Sequence, residues 1–407
     1  MREFTWHVPT EVVFGAGSVS HVPALVRKYG GSHVLVVHGM GSVLRSGLLE
    51  RVCSQLRENG MTVETLGGVQ PNPRVALART GIQKALEERS DFILAIGGGS
   101  TIDTAKAIAH GAANPERDIW HDIWLKPSEL TVSLPVGAVP TIPAAGSETS
   151  DSAVLTDVDS GIKRGLTTQL NRPRFAVLDP ALAATLPPYQ AACGVTDIMM
   201  HTLDRYFNPF TDNEITDEFA EGLLRVVIRN GREVVKDPGN LHAMSEIYWC
   251  GSLSHNGLTG LGGKKDFAPH QFSQALGAKF DKAHGACLAA IWGAWARYVC
   301  QTDIARFARY ARNVWGAGGG IPDNEAALLG IDASVDYFHS LGMPADLTEL
   351  VGKQEEAVID ELADLCSFQR TRTIGTFRVL DRDDMRSIFA AANRGADDNL
   401  KRSDHHG

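Results

Sequence analysis

In the stretch GVTDIMMHTLD, residues 194–204, an aspartate stands four positions before a histidine. On a helix the i and i+4 side chains share one face, so Asp197 and His201 are placed either to grip one divalent ion or to form a surface pair. With 48 acidic residues and 14 histidines in 407, about two acid-histidine pairs at this spacing are expected by chance. The spacing therefore gains weight only from its surroundings. Glu3 and His7 share it, but FTWHVPTEVVF reads as strand and hairpin, where positions i and i+4 are too far apart to chelate one ion. Farther on, DFAPHQFSQALGAKFDKAHGACLA holds His270 and His284. Each alone is more often an ordinary core or surface histidine than a ligand. One carboxylate with three imidazoles suits Zn2+ or Fe2+, and spacing does not establish that these four converge.

A second chemistry is written in glycine. The apolar run DFILAI leads into GGGS, Gly97, Gly98, Gly99 and Ser100, and then into the helical pattern TIDTAKAIAHGAA. Glycines at a strand-to-helix turn let a ligand approach the backbone, and the free N–H groups of a helix start attract anions, so a pyrophosphate fits there. Ser100 and Asp103 also match an N-terminal capping box, which would make the turn merely structural. An earlier turn, HGMGS, with Gly39, Met40, Gly41 and Ser42, follows the run HVLVV. In a doubly wound fold an acid near such a strand end binds the ribose 2′-hydroxyl of NAD, while a basic group favours the 2′-phosphate of NADP. No acid lies between positions 34 and 49, and Arg45 is available, which favours NADP(H) with NAD possible.

These residues need a scaffold. The length of 407 residues makes two domains the default. Through the first part short β-branched runs alternate with amphipathic helical patterns such as SGLLERVCSQLRENG and PRVALARTGIQKALEERS, a βαβ rhythm that implies a parallel sheet with helices on both faces. Further strands are expected at VGAVPTIP, SAVLTD and RFAVLDP. Beyond about residue 186 the apolar spacing is helical and strand signals nearly vanish. The expected organisation is an α/β dinucleotide-binding domain over 1–185 and an all-helical domain over 186–407, with the boundary in the proline-containing stretch 178–188. The tail KRSDHHG reads as a frayed end rather than a metal site, despite His405 and His406.

A net charge of −9 argues against a footprint for nucleic acid or anionic lipid. Six scattered cysteines without a CxxC read as buried thiols of a reducing compartment. The start carries no apolar signal-peptide core, and the longest uncharged apolar run, GACLAAIWGAWA, is too short to span a bilayer. A cytoplasmic protein acting on small molecules is expected.

Taken together, FTWHVPTEVVFGAG, PNP, AIGGGSTIDTAKAIA, PTIPAAGSE, FAVLDPAL, GVTDIMMH, DFAPH and DKAHG follow one another in the order of a known family. The chain resembles the iron-containing, group III alcohol dehydrogenases, and within them the butanol dehydrogenase and NADP(H)-linked aldehyde reductase branch. The resemblance implies an N-terminal Rossmann-like dinucleotide-binding domain, a C-terminal helical metal-binding domain of the dehydroquinate synthase-like fold, and an aldehyde or primary alcohol as substrate. It implies metal ligands at Asp197, His201, His270 and His284 for Fe2+ or Zn2+. It places Gly97, Gly98, Gly99, Ser100 and Asp103 in the pyrophosphate segment, and Asn72, Thr141 and Leu182 near the cofactor. Lys163 falls near the nicotinamide ribose. Lys106 fits a contact in that segment and a solvated helix face equally well. A homodimer through the N-terminal strands is implied as well.

Two positions depart from the family pattern. Met40 stands where NAD-linked members carry an aspartate. Gln274 stands where many members have a histidine facing the nicotinamide, and a glutamine cannot shuttle a proton near neutral pH. In this reading the proton reaches the alkoxide through water or the cofactor ribose, with Lys163 close by. Phe267 and Trp249 are candidate pocket residues through nearness to ligands in the chain. The competing readings are a glycerol dehydrogenase-like polyol oxidoreductase, a dehydroquinate synthase-like lyase, and a non-catalytic dinucleotide-binding protein.

Overall fold

The computed structural model describes residues 1–126, 130–210 and 212–394. Eight strands appear among them: β1 Glu11–Phe14, β2 His33–Gly39, β3 Thr62–Val69, β4 Phe92–Gly97, β5 Val136–Pro140, β6 Ser152–Asp157, β7 Ile162–Thr167 and β8 Phe175–Leu178. Six form one sheet in the order β1-β8-β5-β4-β2-β3, every neighbouring pair parallel. The remaining two, β6 and β7, make an antiparallel hairpin. Residues 1–10 hold no strand, and β1 pairs with the distant β8 rather than folding into a local hairpin. The hairpin strand β7 was not expected from IKRGLT. Its lysine, arginine and glycine interrupt the apolar alternation that marks a strand.

Alternation along the central strands explains the two layers. Val34 and Val36 of β2 join Phe92, Leu94 and Ile96 of β4 in one apolar cluster, while Leu35 and Val37 join Ile93 and Ala95 in another. Successive side chains of a strand point to opposite faces, so a run that is apolar at every position demands cover on both sides. Helices α1 Val22–Lys28 and α3 Leu48–Glu58 supply the first cluster and α5 Gly99–Ala113 the second, with α2 Ser42–Arg45 and α4 Val75–Glu87 completing the βαβ units. Helix α3 runs out at Asn59 and Gly60, where φ of +80° suits glycine.

From Pro188 onward the described chain is helical: α6 Pro188–Tyr206, α7 Glu214–Lys236, α8 Leu241–His255, α9 Ala268–Phe280, α10 His284–Val299, α11 Ile304–Trp315, α12 Asp323–Ser340, α13 Leu347–Val351, α14 Glu356–Cys366 and α15 Arg382–Ala392. The chain forms two compact units. One holds His7–Leu186 with Pro238–Asn256, the other Met1–Trp6, Pro187–Asp237 and Gly257–Gly407. Helix α8, although beyond residue 186, groups with the sheet-bearing unit. The reason is polar: Tyr248 donates to the carbonyl of Pro140, and Ser252 meets Glu148 and Thr149.

No helix among the described residues is long and apolar enough to cross a membrane. All six cysteines are free, and five are buried, with Cys193 half-buried. The pair His405 and His406 lies outside the described residues.

Candidate metal centre and dinucleotide turns

Helix α6 begins with Pro188 in its first turn, where the missing N–H costs nothing. All its residues from Gly194 to its end are buried. That burial carries Asp197, His201 and Asp204 inside, on the face set by their four- and three-residue spacings. His270 lies in the first turn of α9, and His284 opens α10.

The four side chains converge. Asp197 Oδ1 stands 3.4 Å from His201 Nε2, 3.6 Å from His270 Nε2 and 3.7 Å from His284 Nε2. Asp197, His201 and His270 are buried and their ligand atoms lie within 4.8 Å of one another. Four ligands at about 2.0–2.2 Å around one ion in a tetrahedron stand roughly 3.3–3.6 Å apart, so these spacings are those of a cation shell. The separation between Asp197 and His270 exceeds a hydrogen bond, and His270 Nε2 is buried without a hydrogen-bond partner among the described residues. The donor set thus fits a divalent ion.

Outer contacts orient the rings. The fully buried Asp204 accepts from His270 Nδ1, and Ser273 Oγ, which donates to the carbonyl of His270, lies 3.1 Å from His284 Nδ1. Such partners fix the tautomer that leaves Nε2 for the metal. Burial pulls the His270 imidazole down, but the charges of Asp204 and Asp197 outweigh it and hold the metal-free ring up at about 9. Metal binding there displaces a proton. Asp204 was not singled out in the sequence, although its position seven residues after Asp197 puts it on the same helical face.

Phe267 adjoins two of these histidines, with its ring centroid 6.1 Å from His201 and 5.2 Å from His270. Trp249, on α8, packs edge-on against Phe14 instead. Gln274 lies one turn beyond His270 on α9, half-buried.

In the other unit, the strand order reverses between β2 and β4, which are paired neighbours. In open α/β sheets, ligands bind beyond the carboxyl ends of strands at such a switch point. Both glycine turns are there: Gly39 ends β2 and Met40, Gly41 and Ser42 follow it, while Gly97 ends β4 and Gly98, Gly99 and Ser100 follow it. A Cβ at Gly97 would come within 2.4 Å of Thr101 Oγ1, so this position requires glycine. At Gly98 and Gly99 a Cβ would meet nothing closer than 3.5 Å, which leaves the start of α5 open to a ligand.

The capping box is not formed. Gly98 is the N-cap of α5, and no side chain caps the helix. Asp103 instead accepts from Ser147 Oγ at 2.6 Å and from Val154 N at 2.9 Å. Nor is Lys106 on a solvated face: it is fully buried and donates to the carbonyls of Ser147 and Ser152 and to Ser147 Oγ. Both point from α5 into the segment 147–154 and tie it down, which uses their polar atoms inside the protein. Lys163 donates to Asn72 Oδ1 at 2.8 Å, and Asn72 holds φ of +58°, a conformation asparagine tolerates better than most residues. Thr141 N donates to the carbonyl of Gly97 at 3.1 Å, and Leu182 packs against the apolar cluster under β2 and β4. Met40 is exposed, and a Cβ at Gly41 would come within 2.5 Å of the Arg45 guanidinium, so that group lies over the turn.

Residues 9–180 match the family model described as iron-containing alcohol dehydrogenase, and residues 190–393 match its C-terminal counterpart. NADH-dependent butanol dehydrogenase A of Clostridium acetobutylicum is 35% identical over 391 residues, covering 96% of this chain and 99% of that protein. The NADPH-dependent aldehyde reductase YqhD of Escherichia coli is 33% identical, covering 96% and 100%. The crystal structure of NADH-dependent butanol dehydrogenase A from Thermotoga maritima superposes with a TM-score of 0.92 at 30% identity, covering 97% of this chain and 99% of that one. The chain belongs to the iron-containing alcohol dehydrogenase family.

Proposed function

We propose that this protein is a metal-dependent oxidoreductase that reduces aldehydes with NAD(P)H and oxidises primary alcohols in reverse, with NADPH preferred. The observation that carries the reading is the single carboxylate oxygen of Asp197 ringed by three imidazole nitrogens at 3.4–3.7 Å. Asp197, His201, His270 and His284 would hold Fe2+ or Zn2+. When bound, the ion supplies a Lewis acid for a carbonyl oxygen, and the nicotinamide supplies the hydride.

The chain's own residues do the rest. The open backbone at Gly98, Gly99 and Ser100 binds the pyrophosphate with the first N–H groups of α5. Arg45, exposed over Gly41, offers its guanidinium to a 2′-phosphate where no acid competes. Lys163, anchored on Asn72, is held to orient the ribose end of the cofactor. Gln274 donates or accepts a hydrogen bond without carrying a proton, so the proton for the alkoxide comes by water or by the ribose. A cytoplasmic homodimer is part of the same reading, checked by cell fractionation and light scattering.

The test is butyraldehyde reduction with NADPH and with NADH on one preparation, before and after stripping by a chelator. Turnover that favours NADPH, vanishes on stripping and returns with Fe2+ or Zn2+ supports the reading. Full turnover by the stripped protein overturns it, and metal and dinucleotide binding without turnover assigns the scaffold to a non-catalytic role.

A further inference from the structure

Asp266 stands four residues before His270, the same spacing as Asp197 and His201, yet the structure uses it differently. It lies just outside α9, buried, and its carboxylate accepts three backbone N–H groups. Oδ1 takes those of Thr376 at 2.6 Å and Phe377 at 2.8 Å, and Oδ2 takes that of Ala268 at 3.1 Å. Its own N–H donates to the carbonyl of Asp204, whose side chain holds His270. The residue between Asp266 and α9, Phe267, has φ of +57°, a strained conformation for a bulky side chain that persists only where its surroundings impose it. The Asp266–Ala268 bond spans that turn, and the turn aims the Phe267 ring at the edges of His201 and His270.

The far side of this clasp is a small loop near the end of the described chain. Ile374 and Leu380 exchange two backbone hydrogen bonds that close it, Thr376 Oγ1 donates to the carbonyls of Lys264 and Lys265, and Phe377 is buried against Phe207 and Phe307. Gly375 sits at φ of +82°, and a Cβ there would come within 2.5 Å of the Arg378 carbonyl and 3.1 Å of Asp266 Oδ1.

We infer that the loop 374–380, acting through the Asp266 carboxylate, positions Phe267 and His270 and thereby sets the affinity and coordination geometry of the metal site. The inference rests on the metal-site reading above. Asp266 touches neither metal nor substrate in it and is a positioning residue. The loop is anchored in the aromatic packing around Phe207, so it is a fixed post. The carboxylate transmits that position over a single residue to the strained turn and over four to the ligand.

The test uses the full chain loaded with Co2+, whose visible absorption reports coordination geometry, together with Zn2+ affinity by competition against a chromophoric chelator and NADPH binding by fluorescence. Asp266→Asn and the remote Gly375→Ala should each weaken metal binding about 10- to 100-fold, the range for partners that orient ligands. Each should also alter the Co2+ bands and leave NADPH affinity unchanged. The double variant should lose no more than the stronger single one, because both act on one device. Where Asp266→Asn does not fold, Gly375→Ala decides alone. Variants with wild-type metal affinity and bands, whatever their melting temperature, overturn the inference while leaving the metal site standing. A wild-type protein that binds neither Co2+ nor Zn2+ overturns the metal reading as well.

Discussion

The carboxylate of Asp204, fully buried on α6, accepts the Nδ1–H of His270, 66 residues farther along the chain. In the proposed metal site this bond would leave Nε2 as the ring's ligand atom and keep a negative charge beside an imidazole that must give up its proton to bind a cation. Asp204→Asn preserves the shape and removes the charge. Its metal affinity should fall about 10- to 100-fold, measured by chelator competition, with secondary structure retained by circular dichroism.

In the proposed reading Arg45 meets the 2′-phosphate of NADPH. A charge-assisted hydrogen bond contributes about 1.5–3 kcal/mol, so Arg45→Ala should raise KM for NADPH roughly 10- to 100-fold. KM for NADH should stay nearly unchanged. Equal effects on both cofactors would remove Arg45 from the selector role.

Lys106 has its ammonium in the protein interior, where burial pushes its pKa down to about 8 against the upward pull of Asp103. Lys106→Met leaves the Ser147 and Ser152 carbonyls without that donor and the nearby Asp103 carboxylate without its compensating charge. Breaking such a buried charge pair costs about 3–5 kcal/mol, read as a lowered urea midpoint for the sheet-bearing unit. Adding Asp103→Asn should restore part of the loss, since the uncompensated charge is then gone.

His110 gives the clearest pH dependence. Its Nε2 donates to Asn171 Oδ1 at 2.8 Å, because the Asn171 amide nitrogen is already committed to the carbonyls of Asp151 and Leu166. Burial lowers the imidazole from 6.5 to about 4. Between those values the unfolded chain takes up a proton that the folded chain refuses. Stability from this site is therefore complete above pH 6.5 and is lost as pH falls towards 4, by up to about 3 kcal/mol. His110→Gln, which keeps a donor and cannot titrate, should flatten that part of the stability profile, followed by urea unfolding at pH 4.5 and pH 7.

The sequence by itself determined the local features. The runs FILAI and VLVV, apolar at every position, dictate strands covered on both faces, and the glycines after them mark where a backbone must stay open. Asp197 and His201 are legible as a pair because helical periodicity alone brings them to one face. The order of several motifs along the chain, rather than any one of them, identified the family. Side chains committed to distant partners were not legible. Ser100 and Asp103 spelled a capping box, but Asp103 is drawn into the segment 147–154 by Ser147 and Val154, and Lys106 follows it inward because buried carbonyls there need a donor. The grouping of α8 with the sheet likewise rests on Tyr248 and Ser252 finding partners at Pro140 and Glu148. Only the tertiary structure decided that Asp204, Asp266 and Ser273 stand behind His270 and His284, since a second partner for an imidazole is chosen by proximity in space, for which neighbouring residues in the chain hold no record.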